Sequence, residues 1–335
     1  MKPREIAARD LAGPGEFLRQ VAQPCAPVIL RGLVSDWPAV TRAARSPASF
    51  DDYVSQFDAG KVAEAFIGEP HIAGKYFYSD DLERFNFARE RMPFGDALGR
   101  IVATSGLTDQ RSMYLGSLPI DDYLPGFGAE NSLSIIDGAI PARIWVGHAS
   151  NVSAHYDSLD NLACVVAGER CFTLFSPQIT SHLYMGPIDF TMAGQPVSLA
   201  ASSPPNDERF PLFREAKNQA LVAELCAGDA IYIPKLWWHQ VEATSAFNVL
   251  VNYWWDAFAT EDAPSIGLLL SMITIAERPL EERLAWKAFF DHYVFRSTGH
   301  PLAHLPEHQR GVLGPLQPYN YDKLRARVMH LLRNE

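Results

Sequence analysis

The sequence predicts a mainly β protein with flanking helices, its core a sandwich or barrel of short strands. Three observations carry this. Between residues 112 and 256, short runs rich in Val, Ile, Phe, Tyr and Trp are bounded by Gly, Pro and Asp, as strands separated by turns are. No helical pattern follows each strand, which disfavours a parallel doubly wound sheet. Helical periodicity is confined to the two flanks.

Taken in order, APVILRGL (26–33) reads as a short buried strand, SPASFDDYVSQF (46–57) as a helix opened by a serine cap, and RMPFGDALGRIVAT (91–104) as a helix with Pro93 near its first turn. Together they form an N-terminal mixed α/β segment, 1–111, packed on the barrel. The core, 112–256, contains SMYLGSL, ARIWVG, NLACVVAG, RCFTLFS, LVAELCAG, DAIYIP and FNVLVNYWW as strands. It is interrupted at 176–220 by a Pro- and Ser-rich insertion that includes SSPPNDERFP. A loop that long in a compact domain is usually a functional cover or an insertion. From 257 to 335 the pattern is helical again: PSIGLLLSMITIAER, PLEERLAWKAFFDHYV starting on Pro279, and YDKLRARVMHLLRN. The first two of these carry more apolar surface than an exposed helix needs, so they pack on the barrel or pair with a second subunit.

At 335 residues and 47% hydrophobic, the chain can bury a large core. The formal net charge of −10 and the lack of clustered Lys and Arg argue against a nucleic-acid partner, because phosphate binding needs such clusters. MKPREIAARDLAG at the start lacks the apolar run of a signal peptide, and no later run reaches membrane-spanning length. A cytoplasmic protein without a membrane partner is expected. Cys25, Cys164, Cys171 and Cys226 are scattered without a CxxC pair, which speaks against a zinc–cysteine site.

The chemistry concentrates in SAHYDSLDN (153–161). On a strand, His155 and Asp157 share a face and Tyr156 points oppositely. A second candidate is His239 in GDAIYIPKLWWHQVEA, following a strand at 230–234. Two histidines and a carboxylate form the facial triad that holds iron(II) with open positions, although nitrogen and oxygen donors also suit manganese or zinc. A His-x-Asp pair by itself is more often a structural pair with hydrogen-bond partners. His300, His304 and His308 have tempting spacing, but Gly299, Pro301 and Pro306 break the helix that would align them, so they read as loop residues. His148 reads as an exposed turn or as a group supporting the site.

HYD (155–157), Asn161, VxxGxR (165–170), FSP (175–177), GDAIYIPKLWWH (228–239) and VNYWW (251–255) occur in this order, and PVILRGLVSDWPA (27–39) precedes them. Over about residues 25–256 this pattern resembles the cupin-like JmjC family of iron(II)- and 2-oxoglutarate-dependent oxygenases, nearest to the branch with the asparaginyl hydroxylase of hypoxia-inducible factor. The resemblance implies a double-stranded β-helix, or jelly-roll, core with a C-terminal helical extension. It implies Fe(II) bound by His155, Asp157 and His239, with 2-oxoglutarate as co-substrate decarboxylated to succinate. Arg170 stands where the family has a lysine for the distal carboxylate, and Tyr114 matches a tyrosine on the same carboxylate. Asn161 and Asn252 match amides lining the pocket, and Trp254 matches a wall of it. Val152 stands where a threonine often bonds the co-substrate, and the neighbouring Ser153, sharing parity with His155, is expected to take that role. Val165 replaces a common glutamine, which alters how the target is held. Trp37, Trp237, Trp238 and the 176–218 loop are expected to face the substrate. The implied activity is hydroxylation of a protein or peptide side chain by a homodimer joined through the C-terminal helices. A cupin-type metalloprotein without 2-oxoglutarate, or a non-catalytic binding protein, remains an alternative.

Overall fold

Short strands bury their apolar faces only against a second layer, and the computed structural model supplies it as two sheets. The structure describes residues 1–333 except 80, 108–109, 193, 205, 260–261 and 315–317. Its strands are β1 (Arg4–Ala7), β2 (Val28–Arg31), β3 (Val62–Gly68), β4 (Lys75–Tyr76), β5 (Ala88–Pro93), β6 (Ser112–Pro119) and β7 (Ala142–Gly147). They continue as β8 (Ser150–His155), β9 (Asp160–Ala167), β10 (Glu169–Phe175), β11 (Leu221–Cys226), β12 (Ala230–Ile233), β13 (Trp238–Ala243) and β14 (Asn248–Trp255). A nine-stranded sheet runs β1-β2-β12-β9-β14-β7-β6-β3-β5, and a five-stranded sheet runs β11-β10-β13-β8-β4. The chain is thus mainly β, a jelly-roll core with flanking helices.

The central strands β9 and β14 are buried along nearly their whole length because both faces are covered. Leu162, Cys164 and Val166 of β9, with Val249 and Val251 of β14, join a core with Phe50, Phe94 and Leu98 from the N-terminal helices and Phe127 from the connection between β6 and β7. Ala163, Val165 and Leu250 face the other way, into the space between the sheets, where they meet Phe172 and Leu174 of β10 and Ile231 of β12. Double coverage explains why NLACVVA reads as a continuous apolar run rather than an alternating one. The turn from β9 to β10 is made by Gly168 at φ +77°, where a Cβ would lie 2.3 Å from the Asn248 side chain. Only glycine fits there.

Several elements differ from the expectation. The helix expected over 91–104 begins at Phe94, because 88–93 pair antiparallel with β3, as in Ala63↔Met92. Pro93 is its N-cap residue. The N-terminal region supplies β1 to β5, hydrogen-bonded to the edges of the two sheets. His239 does not merely follow a strand; it lies in β13. The insertion contains a 3₁₀ segment (Pro177–Leu183) and a helix (Phe213–Gln219). Phe175, Leu183, Phe213 and Trp238 share a cluster on the side of the small sheet away from the centre.

The chain separates into two compact units, Met1–Ala259 and Thr260–Glu335. The second contains helices Pro264–Ile275, Leu280–Tyr293 and Pro318–Arg333. No helix among the described residues is long and apolar enough to cross a membrane.

Candidate metal and co-substrate site

β8 ends at His155, and Asp157 follows in the turn, where its backbone carbonyl accepts from the Leu236 N–H at 2.9 Å. His155 pairs with His239 across β8 and β13, which brings the two imidazole centroids to 4.3 Å. Each ring donates its Nδ1–H to a carbonyl two residues earlier: His155 to Ser153 at 2.9 Å and His239 to Trp237 at 3.1 Å. That bond fixes the tautomer and leaves Nε2 free as an electron-pair donor. Nε2 of His239 lies 3.6 Å from Oδ2 of Asp157. One ligand atom from each of the three side chains falls within 4.8 Å of the others, and no other such group occurs among the described residues. Burial, with the neighbouring His155 second, pushes the His239 pKa well below its ordinary value, keeping the ring in the neutral form a cation requires.

The carboxylate is held as firmly as the rings. Oδ2 of Asp157 accepts from Trp254 Nε1 at 3.0 Å and from Asn161 Nδ2 at 3.3 Å. Asn161 in turn accepts from Asn252 Nδ2 at 3.1 Å, and Asn252 accepts from Trp145 Nε1 at 2.7 Å. This relay runs across β7, β14 and β9 on the inner face of the large sheet. A carboxylate so oriented presents its remaining lone pairs in a fixed direction.

The trio opens into a cavity of about 360 Å³ lined also by Tyr114, Asn161, Arg170, Asn252 and Trp254. Arg170 projects from β10 between the sheets and is 6% exposed. It makes no hydrogen bond or ion pair with any described residue, and its Nε is sealed without a partner. Burial lowers its pKa to about 10, still far above neutrality, so a buried cation faces the cavity with no anion. Burial likewise raises the Tyr114 pKa, so its hydroxyl remains a donor. Two imidazoles and one carboxylate fit a divalent metal, and an uncompensated guanidinium beside them fits a carboxylate. The donor set therefore fits iron(II) together with a dicarboxylate.

Other expected positions are placed elsewhere. Ser153 does not line the cavity: its hydroxyl donates to the Ser198 carbonyl at 3.0 Å. The reason is a bulge. His239 pairs with His155 but Val241 pairs with Val152, so two steps on β13 face three on β8, and Val152 turns inward instead. Trp37 is a core residue donating to Ser132 O, Trp237 donates to Cys25 O, and Trp238 packs edge-on against Tyr156 at 4.9 Å. The indoles lining the cavity are Trp145 and Trp254. Met192, Gln195 and Val197 bring the insertion to the site, and Val197 bridges to His155. His148 is buried, not an exposed turn: Nδ1 accepts from the Met113 N–H at 3.0 Å and Nε2 reaches Ile101 O at 3.0 Å. It ties helix Phe94–Thr104 to β6. His300 bonds Leu313 O and belongs to no metal-binding group among the described residues.

Trp145 and Phe66 were missed by the sequence reading, although ARIWVG alternates so that Arg143 and Trp145 share a face opposite Ile144 and Val146. That alternation was the available signal.

Comparison with known proteins follows from this geometry. The chain is 25% identical over 258 residues to Jumonji C domain-containing protein 5 of Drosophila melanogaster, covering 75% of this chain and 60% of that protein. It is 32% identical over 156 residues to a lysine-specific demethylase of Arabidopsis thaliana (46% of this chain, 27% of that one). It is 33% identical over 145 residues to tRNA wybutosine-synthesizing protein 5 of Mus musculus (38% and 43%). The chain thus spans at most 60% of the length of these relatives. Residues 14–261 match the profile of the cupin-like domain. Those same residues build every strand but β1, the insertion and the cavity, and the chain belongs to this cupin-like family, in its JmjC lineage.

Proposed function

We propose that this chain is an iron(II)- and 2-oxoglutarate-dependent hydroxylase acting on a side chain of a protein or peptide. The carrying observation is Arg170, a buried cation without an anion in the same cavity as the His155, Asp157 and His239 trio. A dicarboxylate with one end at the metal satisfies both features at once. Bound iron(II) supplies oxygen activation coupled to decarboxylation of 2-oxoglutarate to succinate. The protein supplies position. His155 and His239 present Nε2, with their Nδ1–H groups anchored on the backbone, and Trp254 and Asn161 hold the Asp157 carboxylate in place. Arg170 and the Tyr114 hydroxyl receive the distal carboxylate. Phe172, Val241 and Leu250 wall the cavity and keep water from the reacting centre.

The net charge of −10 supports a polypeptide over an RNA target, as does the name of the demethylase relative. Four free cysteines support the cytoplasm as location. Anaerobic titration of the iron-loaded protein with 2-oxoglutarate is expected to produce the weak visible charge-transfer band of the chelate. His155→Ala abolishes it. Iron bound without a band overturns this reading in favour of a cupin metalloprotein of other chemistry.

We also infer a homodimer. Helices Pro264–Ile275 and Leu280–Tyr293 have no buried residue, and Leu268, Ile273 and Phe289 are 62%, 80% and 58% exposed. Apolar faces of this extent call for a partner. Light scattering at micromolar concentration is expected to return twice the chain mass, and a monomer mass overturns the assignment.

A further inference from the structure

The cavity contains a second arginine that the co-substrate does not use. Arg143 lies on β7 of the large sheet, whereas Arg170 lies on β10 of the small one. Its Nη1 donates to the Ser117 carbonyl at 2.7 Å and the Ser117 hydroxyl at 3.1 Å. Its Nε and Nη2 have no partner and are not sealed off, and no carboxylate lies within 4 Å of it among the described residues. The support is built into the backbone. Ser117 sits at φ +55°, and the pairing of β6 with β7 breaks its register between Leu115 and Leu118, around Gly116 and Ser117. A left-handed serine is costly unless its surroundings hold it; here both its oxygens face one guanidinium. The Arg143 Cζ also lies 5.9 Å from the Trp254 ring, whose Nε1 bonds Asp157. One indole therefore separates this cation from the metal-binding carboxylate.

Charge accounting gives Arg143 its ligand. 2-Oxoglutarate has two carboxylates, and on the oxygenase reading one would be held at the metal and the other by Arg170. A further cation on the opposite wall has no acid left in the co-substrate, so its anion comes from the substrate. We propose that Arg143 is the specificity-determining residue of the site and receives a carboxylate of the polypeptide substrate through its free Nε–Nη2 edge. The inference rests on the oxygenase reading above. A parallel N–H pair matches a planar carboxylate. A phosphate dianion calls for more donors than this wall offers, where the neighbouring groups are Trp145, Trp254 and Phe66.

The test uses the full chain loaded with zinc(II), a redox-inert diamagnetic metal, and 2-oxoglutarate. Binding of N-acetyl-aspartate amide and N-acetyl-glutamate amide is compared with that of the asparagine and glutamine amides by ligand-observed NMR. The expected result is at least tenfold tighter binding of the acids, levelled to within twofold in Arg143→Gln. Arg143→Lys keeps the cation and is expected to retain a preference of several fold, which separates loss of charge from loss of fold. The anaerobic iron–2-oxoglutarate band is expected in wild type and both variants. Equal binding of acids and amides, no binding of the acids, or a preference that survives in Arg143→Gln overturns the inference. A band lost only in the Arg143 variants overturns it too, by placing the co-substrate on Arg143. Tighter binding of N-acetyl-phosphoserine amide than of the aspartate probe overturns the carboxylate assignment. A band absent from wild type removes the oxygenase reading and this inference with it.

Discussion

Asp157→Ala is expected to lower iron(II) affinity by roughly a hundredfold or more, since removing mere supporting hydrogen bonds at metal sites costs 10–100-fold, and to abolish 2-oxoglutarate turnover. Asp157 contributes the single negative charge of a donor set whose other members are neutral imidazoles. A hard divalent cation entering a largely buried site loses its hydration, and the carboxylate offsets more of that cost than either ring. The fold should tolerate the change, because among the described residues the Asp157 side chain bonds or pairs with Trp254, Asn161 and His239 and joins no apolar cluster. Asp157→Asn keeps an acceptor for Trp254 and Asn161 but not the charge. It should lose iron affinity while retaining the wild-type thermal midpoint of the apo protein. Equilibrium dialysis with iron(II) reads the affinity, and wild-type affinity in both variants would place the metal elsewhere.

The trio was legible through the ordered blocks around HYD and WWH, since a His-x-Asp pair by itself reads as structural. The strands were legible where both faces are apolar, as in β9 and β14. β13 was not, because WHQVEA mixes polar and apolar residues and is buried at both ends with a half-buried middle, which matches neither period well. β3 and β5 pair with each other at the edge of the large sheet; ARERMP of β5 is exposed at most positions, so nothing in its sequence announces a strand. Register was the larger loss. A bulge in β8 is invisible in SNVSAH, yet it decides that Val152 and not Ser153 faces the cavity. The relay from Trp145 through Asn252 and Asn161 to Asp157 joins residues up to 107 positions apart and exists only once β7, β14 and β9 are in register. Adjacent tryptophans likewise misled. In a strand, neighbours face opposite ways, so an inward His239 obliges Trp238 to point outward, toward Tyr156 and Thr180.

Arg170→Met is expected to move two observables in opposite directions. In the apo protein the wild-type guanidinium is buried without an acid, and its Nε has no partner. Replacing buried charges by apolar groups of similar volume is often stabilising, by about 1–4 kcal/mol, and methionine fits beside Phe172 and Leu250. At about 2–4 °C per kcal/mol for a domain of this size, the apo thermal midpoint should rise by several degrees. Co-substrate binding should collapse, because the distal carboxylate then enters the same pocket without its cation. A buried, hydrogen-bonded charge partner is worth about 2–5 kcal/mol when truncated, or roughly thirtyfold to several thousandfold in Kd. Saturating 2-oxoglutarate at about a hundred times the wild-type Kd stabilises the wild-type protein by about 2.7 kcal/mol, and the same concentration should stabilise Arg170→Met by less than about 1 kcal/mol. Differential scanning fluorimetry of the metal-free proteins, and of the metal-loaded proteins with and without 2-oxoglutarate, reads both effects. A structural cation behaves otherwise: its loss lowers the apo midpoint and leaves the 2-oxoglutarate shift intact. That pattern would remove Arg170 from the site. The opposed pattern is the mark of a group held in an unfavourable state by the fold until its anion arrives.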